Sequence, residues 1–164
     1  MKRLYDWKQM TVEEFNQLPF EQARAAMLDC CGCEAWAVEV AAGRPYESLE
    51  VLRKAADEQW WRLGEYGWLE ALRAHSKTGA WIDVADLSES DETVAERMGA
   101  LRQYYATFGF GFVYYSVGKS PELIMEVLRE RLANRLEQEL AIAAEEQAKV
   151  TQLKIGRVFG HEGD

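Results

Sequence analysis

Helix-breaking residues are few in this sequence, and that scarcity constrains the fold more than any other feature. Three prolines occur in 164 residues, and few stretches alternate apolar and polar residues as half-buried strands do. Apolar residues instead recur three and four positions apart, which is the pattern of helices that bury one face. We therefore predict an all-α fold, a single multihelical domain of about seven or eight helices over residues 1–164, with residues 1–10 and 160–164 as flexible ends.

Capping signals place the ends of these helices. Thr11 and Glu14 form a capping box, Ser48 occupies an N-cap position, and Ser120-Pro121 combines a serine cap with a proline in the first turn. Residues 76–90 are predicted to form a loop or turns. The predicted helices lie at about 12–18, 20–31, 34–42, 49–63, 68–75, 91–107, 121–133 and 135–158.

The aromatic run Phe108–Gly118 interrupts the helical pattern. Its glycines and alternating aromatic residues favour an extended or irregular segment, which could be pure core or could let a flat polar ligand approach the backbone. The helix that follows carries apolar side chains that we predict to form its buried face: Leu123, Val127, Leu128 and Leu132.

The net charge excludes some classes of partner. A formal charge of −9 disfavours binding to nucleic acid or to an anionic membrane surface. No apolar run approaches the roughly 20 residues that span a bilayer, and the N-terminal residues lack the apolar region of a signal peptide. We therefore expect no nucleic acid and no membrane as partner, and a cytoplasmic location.

The three cysteines lie together at Cys30, Cys31 and Cys33. An odd, clustered set does not build a disulfide framework. A zinc site is also disfavoured, because no second Cys or His pair lies at ligand spacing. We interpret them as small core residues at a helix end, with a metal-binding or redox role as the alternative.

His75 is the first candidate for chemistry, at the end of the helix that begins near Trp68. One interpretation is structural, since a histidine at a helix end can bind the last carbonyl groups and interact favourably with the helix dipole. The other is catalytic, because an imidazole titrates near neutral pH and is the usual general acid or base. The residues alone leave both open.

Charged residues on two helices are further candidates. Glu92 and Glu96 lie one turn apart on one helix face, where they could form a solvated helix start or face a ligand. Lys154 and Arg157, late in the last helix, could interact with its dipole or with an anionic substrate. There is no phosphate-binding glycine loop, H-E-x-x-H motif or nucleophile elbow.

These pieces resemble the family of 2-oxo-4-hydroxy-4-carboxy-5-ureidoimidazoline (OHCU) decarboxylases, of which the chain looks like a divergent member. The resemblance begins at F-E-Q-A-R-A-A-M-L-D-C-C-G and continues through W-A-x-x-V-A-A-G-R-P-Y and W-L-E-A-L-R-A-H. It resumes at Y-x-x-F-G-F-G-F-V and ends with the long block from G-K-S-P-E-L-I-M to Q-L-K-I. It implies an all-helical, cofactor-free enzyme without a metal, which is commonly a homodimer.

The resemblance also assigns site residues, with several departures. His75 matches the family histidine, although Ser76 stands where the family has proline. Thr93 and Arg97 correspond to the family's serine and glutamine, and Glu96 to its glutamate, with Glu92 as the second choice. Backbone groups near Val113 would hold the substrate, and Lys154 stands where the family has arginine. The family also has a longer segment before the F-G-F-G-F run.

The implied reaction is that of a carboxy-lyase in uric acid degradation, a branch of purine metabolism. His75 and Glu96 would be catalytic, and Thr93, Arg97, Val113 and Lys154 would bind a small ureidoimidazoline. The product would be (S)-allantoin. The alternatives are a catalytically retired or repurposed helical binding or dimerisation protein, and an enzyme that uses this pocket for another small polar heterocycle.

Overall fold

The computed structural model describes residues 9–74 and 91–160, and every regular element in these two ranges is an α-helix. The prediction of an all-α fold is confirmed. The helices are α1 (Val12–Gln17), α2 (Phe20–Cys30), α3 (Glu34–Ala42), α4 (Leu49–Arg62), α5 (Gly64–Arg73), α6 (Asp91–Phe108), α7 (Pro121–Leu132) and α8 (Leu136–Val158).

The predicted caps form. The Thr11 hydroxyl accepts from the Glu14 backbone N–H and the Glu14 carboxylate accepts from that of Thr11, both at 3.1 Å. The Ser48 hydroxyl accepts from the Val51 N–H at the start of α4, and the Ser120 hydroxyl accepts from the Leu123 N–H at the start of α7. Each of these signals needs residues only three positions apart, which explains why the sequence places these helix starts correctly.

The chain divides into two compact units, and the single-domain organisation remains a prediction. One unit contains Met1–Glu70 and Ala148–Asp164, and the other contains Ala71–Gln147. Helices α5 and α8 each contribute residues to both. None of the helices in the described part of the chain is long and apolar enough to cross a membrane.

The first unit is built on α3, which packs against α2 and α4. The indole N–H of the buried Trp36 donates to the Ala56 carbonyl of α4 at 2.8 Å. The guanidinium of Arg44 donates to the carbonyls of Phe15 and Leu18 at 2.9 and 2.7 Å, which satisfies the C-terminal end of α1. Cys30, Cys31 and Cys33 are buried and form no disulfide, as expected of core residues.

The second unit pairs α6 with α7 and includes the aromatic segment between them. The chain leaves α6 at Gly109, which has φ +81°, and turns again at Gly118, with φ +73°. Glycine adopts this left-handed conformation without the steric penalty that a side chain imposes. Residues 110–115 between these glycines are non-helical, so the extended or irregular character predicted for this segment is confirmed.

The buried face of α7 differs from the predicted one. Ile124, Met125, Leu128 and Arg131 are buried, whereas Leu123 is 36% exposed. The face is rotated because Arg131 turns inward to polar partners in its own unit. The predicted face included Leu128 but left out the apolar Ile124 and Met125 as well as the buried arginine.

Candidate functional site

Helix α5 leads toward His75 but ends earlier than predicted. The structure ends α5 at Arg73, two residues before the predicted end at His75. The Ala74 N–H still bonds the Ala71 carbonyl at 3.2 Å, three residues back, which is the tightened geometry common at helix ends. His75, Ser76 and His161 lie outside the described residues.

Two tryptophans join α5 to α4. The Trp68 indole donates to the Trp60 carbonyl at 3.0 Å, and the centres of the two rings lie 6.3 Å apart. The Glu70 carboxylate on the same helix accepts the backbone N–H of Glu34 at 3.1 Å. Glu70 therefore satisfies one of the free N–H groups at the start of α3.

Helix α6 carries the predicted acidic residues on its exposed side. Glu92 is exposed, and the Glu96 side chain is 57% exposed and forms an ion pair with Arg129 of α7. Arg97, the next residue, is buried, and Thr93 is half-buried one turn earlier. Successive helical residues point about 100° apart, so Glu96 and Arg97 face different surroundings.

In the segment after α6, Val113 is held through its backbone carbonyl. Val113, Phe110 and Phe112 are fully buried. The Val113 carbonyl accepts a hydrogen bond from Arg131 Nη1 at 2.7 Å. Two predicted site residues therefore contact cations of α7. Glu96 pairs with Arg129, and Val113 binds Arg131, two positions further on.

The Arg131 side chain that binds Val113 belongs to a buried polar network, which the sequence analysis did not predict. Arg131 Nε donates to Glu139 Oε1 at 2.7 Å, and Asn134 Nδ2 donates to Glu139 Oε2 at 3.1 Å. The Tyr104 hydroxyl also donates to Glu139 Oε1. Burial raises the pKa of the Tyr104 phenol, so this group stays protonated and remains a donor.

A signal for this network exists in the sequence. Arg131 follows Ile124 and Leu128 at intervals of seven and three residues, which puts it on their buried face. Glu139 precedes the buried Ala143 by four residues and is itself fully buried. Charged residues are almost never fully buried unless they are paired, so two oppositely charged residues at core positions predict such a pair.

Lys154 is the predicted cation of α8, in the unit that contains α1 to α4. It is half-buried, one turn beyond the buried Thr151. Burial raises the pKa of the Cys31 thiol to about 12, and the Thr151 hydroxyl and the positive charge of Lys154 lower it by less. Lys154 therefore lies within electrostatic reach of Cys31, whereas Arg157 lies one turn further on.

The described residues offer ligand-binding groups but no metal cluster. Among residues 9–74 and 91–160, no three His, Cys, Asp or Glu side chains are placed to hold a metal ion. What these residues provide is a carboxylate at Glu96, an ammonium group at Lys154 and a backbone segment fixed at Val113. Taken singly, a carboxylate can accept hydrogen bonds from N–H groups of a small compound, and an ammonium group can bind an anionic oxygen.

Comparison with known proteins gives a consistent result. A family model described as OHCU decarboxylase matches residues 16–156. The chain is 31% identical over 146 residues to the Uric acid degradation bifunctional protein TTL of Arabidopsis thaliana, covering 79% of this chain but only 45% of that protein. It is 25% identical over 166 residues to the 2-oxo-4-hydroxy-4-carboxy-5-ureidoimidazoline decarboxylase of Haloferax volcanii, covering 94% of this chain and 99% of that one.

Solved structures are similar as well. A crystal structure of an OHCU decarboxylase in the presence of (S)-allantoin superposes with a TM-score of 0.72 at 28% identity. The match covers 81% of this chain and 96% of that one. A crystal structure of an (S)-allantoin synthase gives a TM-score of 0.69 at 18% identity, covering 91% of this chain and 54% of that one, and supports the fold alone.

Proposed function

This chain belongs to the OHCU decarboxylase family, and on that premise we propose that it converts OHCU to (S)-allantoin in uric acid degradation. The observation that carries the proposal is the match to the Haloferax decarboxylase, which extends over nearly the full length of both chains. The solved OHCU decarboxylase with (S)-allantoin adds support, because it joins the same fold to the proposed product.

The proposed reaction cleaves one carbon–carbon bond. The carboxylate of OHCU leaves as CO₂, and the electron pair of that bond remains on the substrate as a carbanion or enediolate. Protonation on one face then gives the (S) product. No cofactor is needed in this scheme, because the substrate itself delocalises the electron pair.

We assign the roles as follows. His75 is the acid–base group and delivers the proton. Glu96 accepts hydrogen bonds from ring or ureido N–H groups, and its charge disfavours the substrate carboxylate more than the transition state. Backbone groups near Val113 hold the ring, and Lys154 binds an anionic oxygen.

Thr93 and Arg97 complete the proposed site. Thr93 retains the hydroxyl of the serine that the family has at this place. Arg97 substitutes a cation for a neutral glutamine, and it is buried one turn from Thr93. In this assignment both residues bind substrate.

One assay tests the proposal directly. OHCU is generated fresh from urate by the two upstream enzymes, and (S)-allantoin is followed by its circular dichroism. We expect a rate well above spontaneous decay, which His75→Ala reduces to the background. A wild-type rate equal to spontaneous decay would exclude the function, and a fast His75→Ala variant would exclude the assigned mechanism.

A retired or repurposed binding protein is the second candidate function. The observation that favours it is the ion pair that engages Glu96 with Arg129 on the protein surface. Ser76, Arg97 and Lys154 also depart from the residues that the resemblance predicts. In this case the protein would not accelerate OHCU conversion, whether or not it binds (S)-allantoin.

We further propose a homodimer and a cytoplasmic location. Exposed aromatic side chains of the first unit support self-association, since Tyr66 is 91% and Trp61 41% exposed and aromatic residues are enriched at protein interfaces. Three cysteines that form no disulfide are typical of a reducing compartment. Sedimentation should give about twice the chain mass of 18.8 kDa, and a monomer at all concentrations would exclude the dimer.

A further inference from the structure

Arg131 joins a buried ion pair to the backbone of the proposed site. Its side chain is nearly inaccessible, with 5% exposure, and Glu139 is fully buried. One guanidinium edge donates to Glu139 Oε1 and a second nitrogen donates to the Val113 carbonyl, each at 2.7 Å. A planar guanidinium can serve both acceptors in fixed directions, whereas a lysine ammonium has no such fork.

The network holds the segment at two adjacent residues. The Arg131 guanidinium lies over the Phe112 ring, 4.5 Å from its centre, and binds the carbonyl of the next residue. Glu139 is itself held by Asn134 and by the Tyr104 hydroxyl. A buried ion pair contributes little net stability compared with apolar packing. The main consequence of this pair is therefore that it fixes the position of the backbone that Arg131 binds.

The carbonyl bond fixes the direction of the next backbone donor. The peptide between Val113 and Tyr114 is planar and trans, since the cis bond recorded in the structure is Arg44–Pro45. In a trans peptide the C=O and N–H groups point in opposite directions. With its carbonyl bound to Arg131, this peptide presents the Tyr114 N–H on the opposite side of the segment, beside a half-exposed side chain.

We propose that Arg131 and Glu139 are positioning residues, which hold the Val113–Tyr114 peptide so that the Tyr114 N–H is a fixed donor to a carbonyl or anionic oxygen of the ligand. This inference rests on the proposed function, because that function makes the backbone near Val113 a substrate-binding element. Arg131 acts only through the peptide and does not touch the substrate.

Steady-state kinetics of Arg131→Lys with OHCU tests the proposal. The lysine retains a positive charge for Glu139 but cannot also bind the Val113 carbonyl with the same geometry. We expect KM to rise about tenfold, the effect of losing one hydrogen bond to a ligand. We expect kcat to stay within about twofold, because His75 is untouched.

Matched variants separate positioning from general loss of stability. Ile124→Val and Leu128→Ala remove buried apolar atoms from the same helix and leave the Arg131 side chain unchanged, and the one whose melting temperature is closest to that of Arg131→Lys serves as control. The control should retain the wild-type KM. An unchanged KM in Arg131→Lys, or an equal rise in the control, would overturn the proposal.

Hydrogen–deuterium exchange makes the result independent of turnover. We expect amides of residues 110–115 to exchange faster in Arg131→Lys than in the control variant. If the wild-type protein does not accelerate OHCU conversion, the proposed function fails and the exchange result decides alone. Equal exchange in the two variants would then overturn the positioning role, and faster exchange in Arg131→Lys would support it.

Discussion

Lys154 and Arg157 are two half-buried cations on successive turns of α8. Lys154 is close enough to Cys31 for its charge to lower the pKa of that buried thiol. This places the ammonium group near a protein interior, where an anion bound to it would be less screened by water than at the surface. Lys154 is therefore the better candidate for binding an anionic substrate.

Lys154→Ala should lower kcat/KM about a hundredfold, because a charge-assisted contact to a bound anion contributes about 1.5–3 kcal/mol. Lys154→Arg should retain or raise kcat/KM, since arginine can bind a carboxylate through two parallel hydrogen bonds. Arg157→Ala serves as the matched control and should stay within about twofold of wild type. A larger loss in Arg157→Ala than in Lys154→Ala would reassign the anion site.

The acidic pair on α6 can be separated in the same assay. Glu96→Gln should lower kcat/KM by about a hundredfold, at the low end for loss of a catalytic carboxylate. Glu92→Gln should have little effect. Arg129→Leu should also have a small effect, because exposed ion pairs contribute only about 0–1 kcal/mol. If Glu92→Gln is the damaging substitution instead, the two glutamates exchange roles.

At the scale of elements, replacing two helical glycines with alanine should have opposite effects on stability. A Cβ added at Gly99 in α6 would meet no atom within 4 Å, whereas one added at Gly67 in α5 would lie 2.6 Å from the Leu63 Cβ. Alanine costs less backbone entropy than glycine on folding and is a better helix former. The available space therefore decides the sign of each substitution.

Gly99→Ala should raise the free energy of unfolding by about 0.5–1 kcal/mol. Gly67→Ala should lower the free energy of unfolding, because the helix must shift to relieve the contact with Leu63. Urea denaturation followed by circular dichroism measures both. A destabilised Gly99→Ala protein would show that α6 has a close neighbour at this position.

The starts of three helices were predictable from the sequence, whereas the face that a helix buries was less so. The starts of α1, α4 and α7 depend on serine or threonine and on backbone groups within three residues, so local sequence contains the information. The face that α7 buries depends on Arg131, whose partner Val113 lies 18 residues away. Ile124 and Leu128 lie at helical spacing on that face, but the contact of Arg131 with Val113 is not visible in the local sequence.

The candidate site was predictable only through its resemblance to a family. Nothing in the local pattern around Glu96 distinguishes a catalytic carboxylate from a solvated helix residue, and in the structure it is exposed and ion-paired. The network of Tyr104, Arg131 and Glu139 combines residues from three helices. The positions of Arg131 and Glu139 on buried faces indicate a charged pair, but that Tyr104 and Val113 join it depends on which elements are neighbours.

At the scale of the whole molecule, the buried thiols make the free energy of unfolding depend on pH in the alkaline range. Burial raises the pKa of Cys31 from 9.0 to about 12 and also raises the pKa of Cys33. Below pH 9 the Cys31 thiol is protonated in both the folded and the unfolded chain. As the pH rises from about 9 to 12, the unfolded chain loses this proton while the folded protein retains it.

The free energy of unfolding should therefore fall as pH rises through this window, by up to about 1.4 kcal/mol per pH unit for Cys31 alone. Cys31→Ala should flatten this slope. Val40→Ala, which also removes buried atoms in the same unit, should lower stability at every pH without changing the slope. Denaturation at a series of pH values measures both, and equal slopes for wild type and Cys31→Ala would contradict the prediction.

The buried pair of Arg131 and Glu139 also restricts how this chain can evolve. Changing either residue alone leaves an unpaired charge in the core, which typically costs about 3–5 kcal/mol, a large share of the stability of a protein this size. Single substitutions at either position are therefore strongly disfavoured. We expect these two positions to change together or not at all in descendants of this chain.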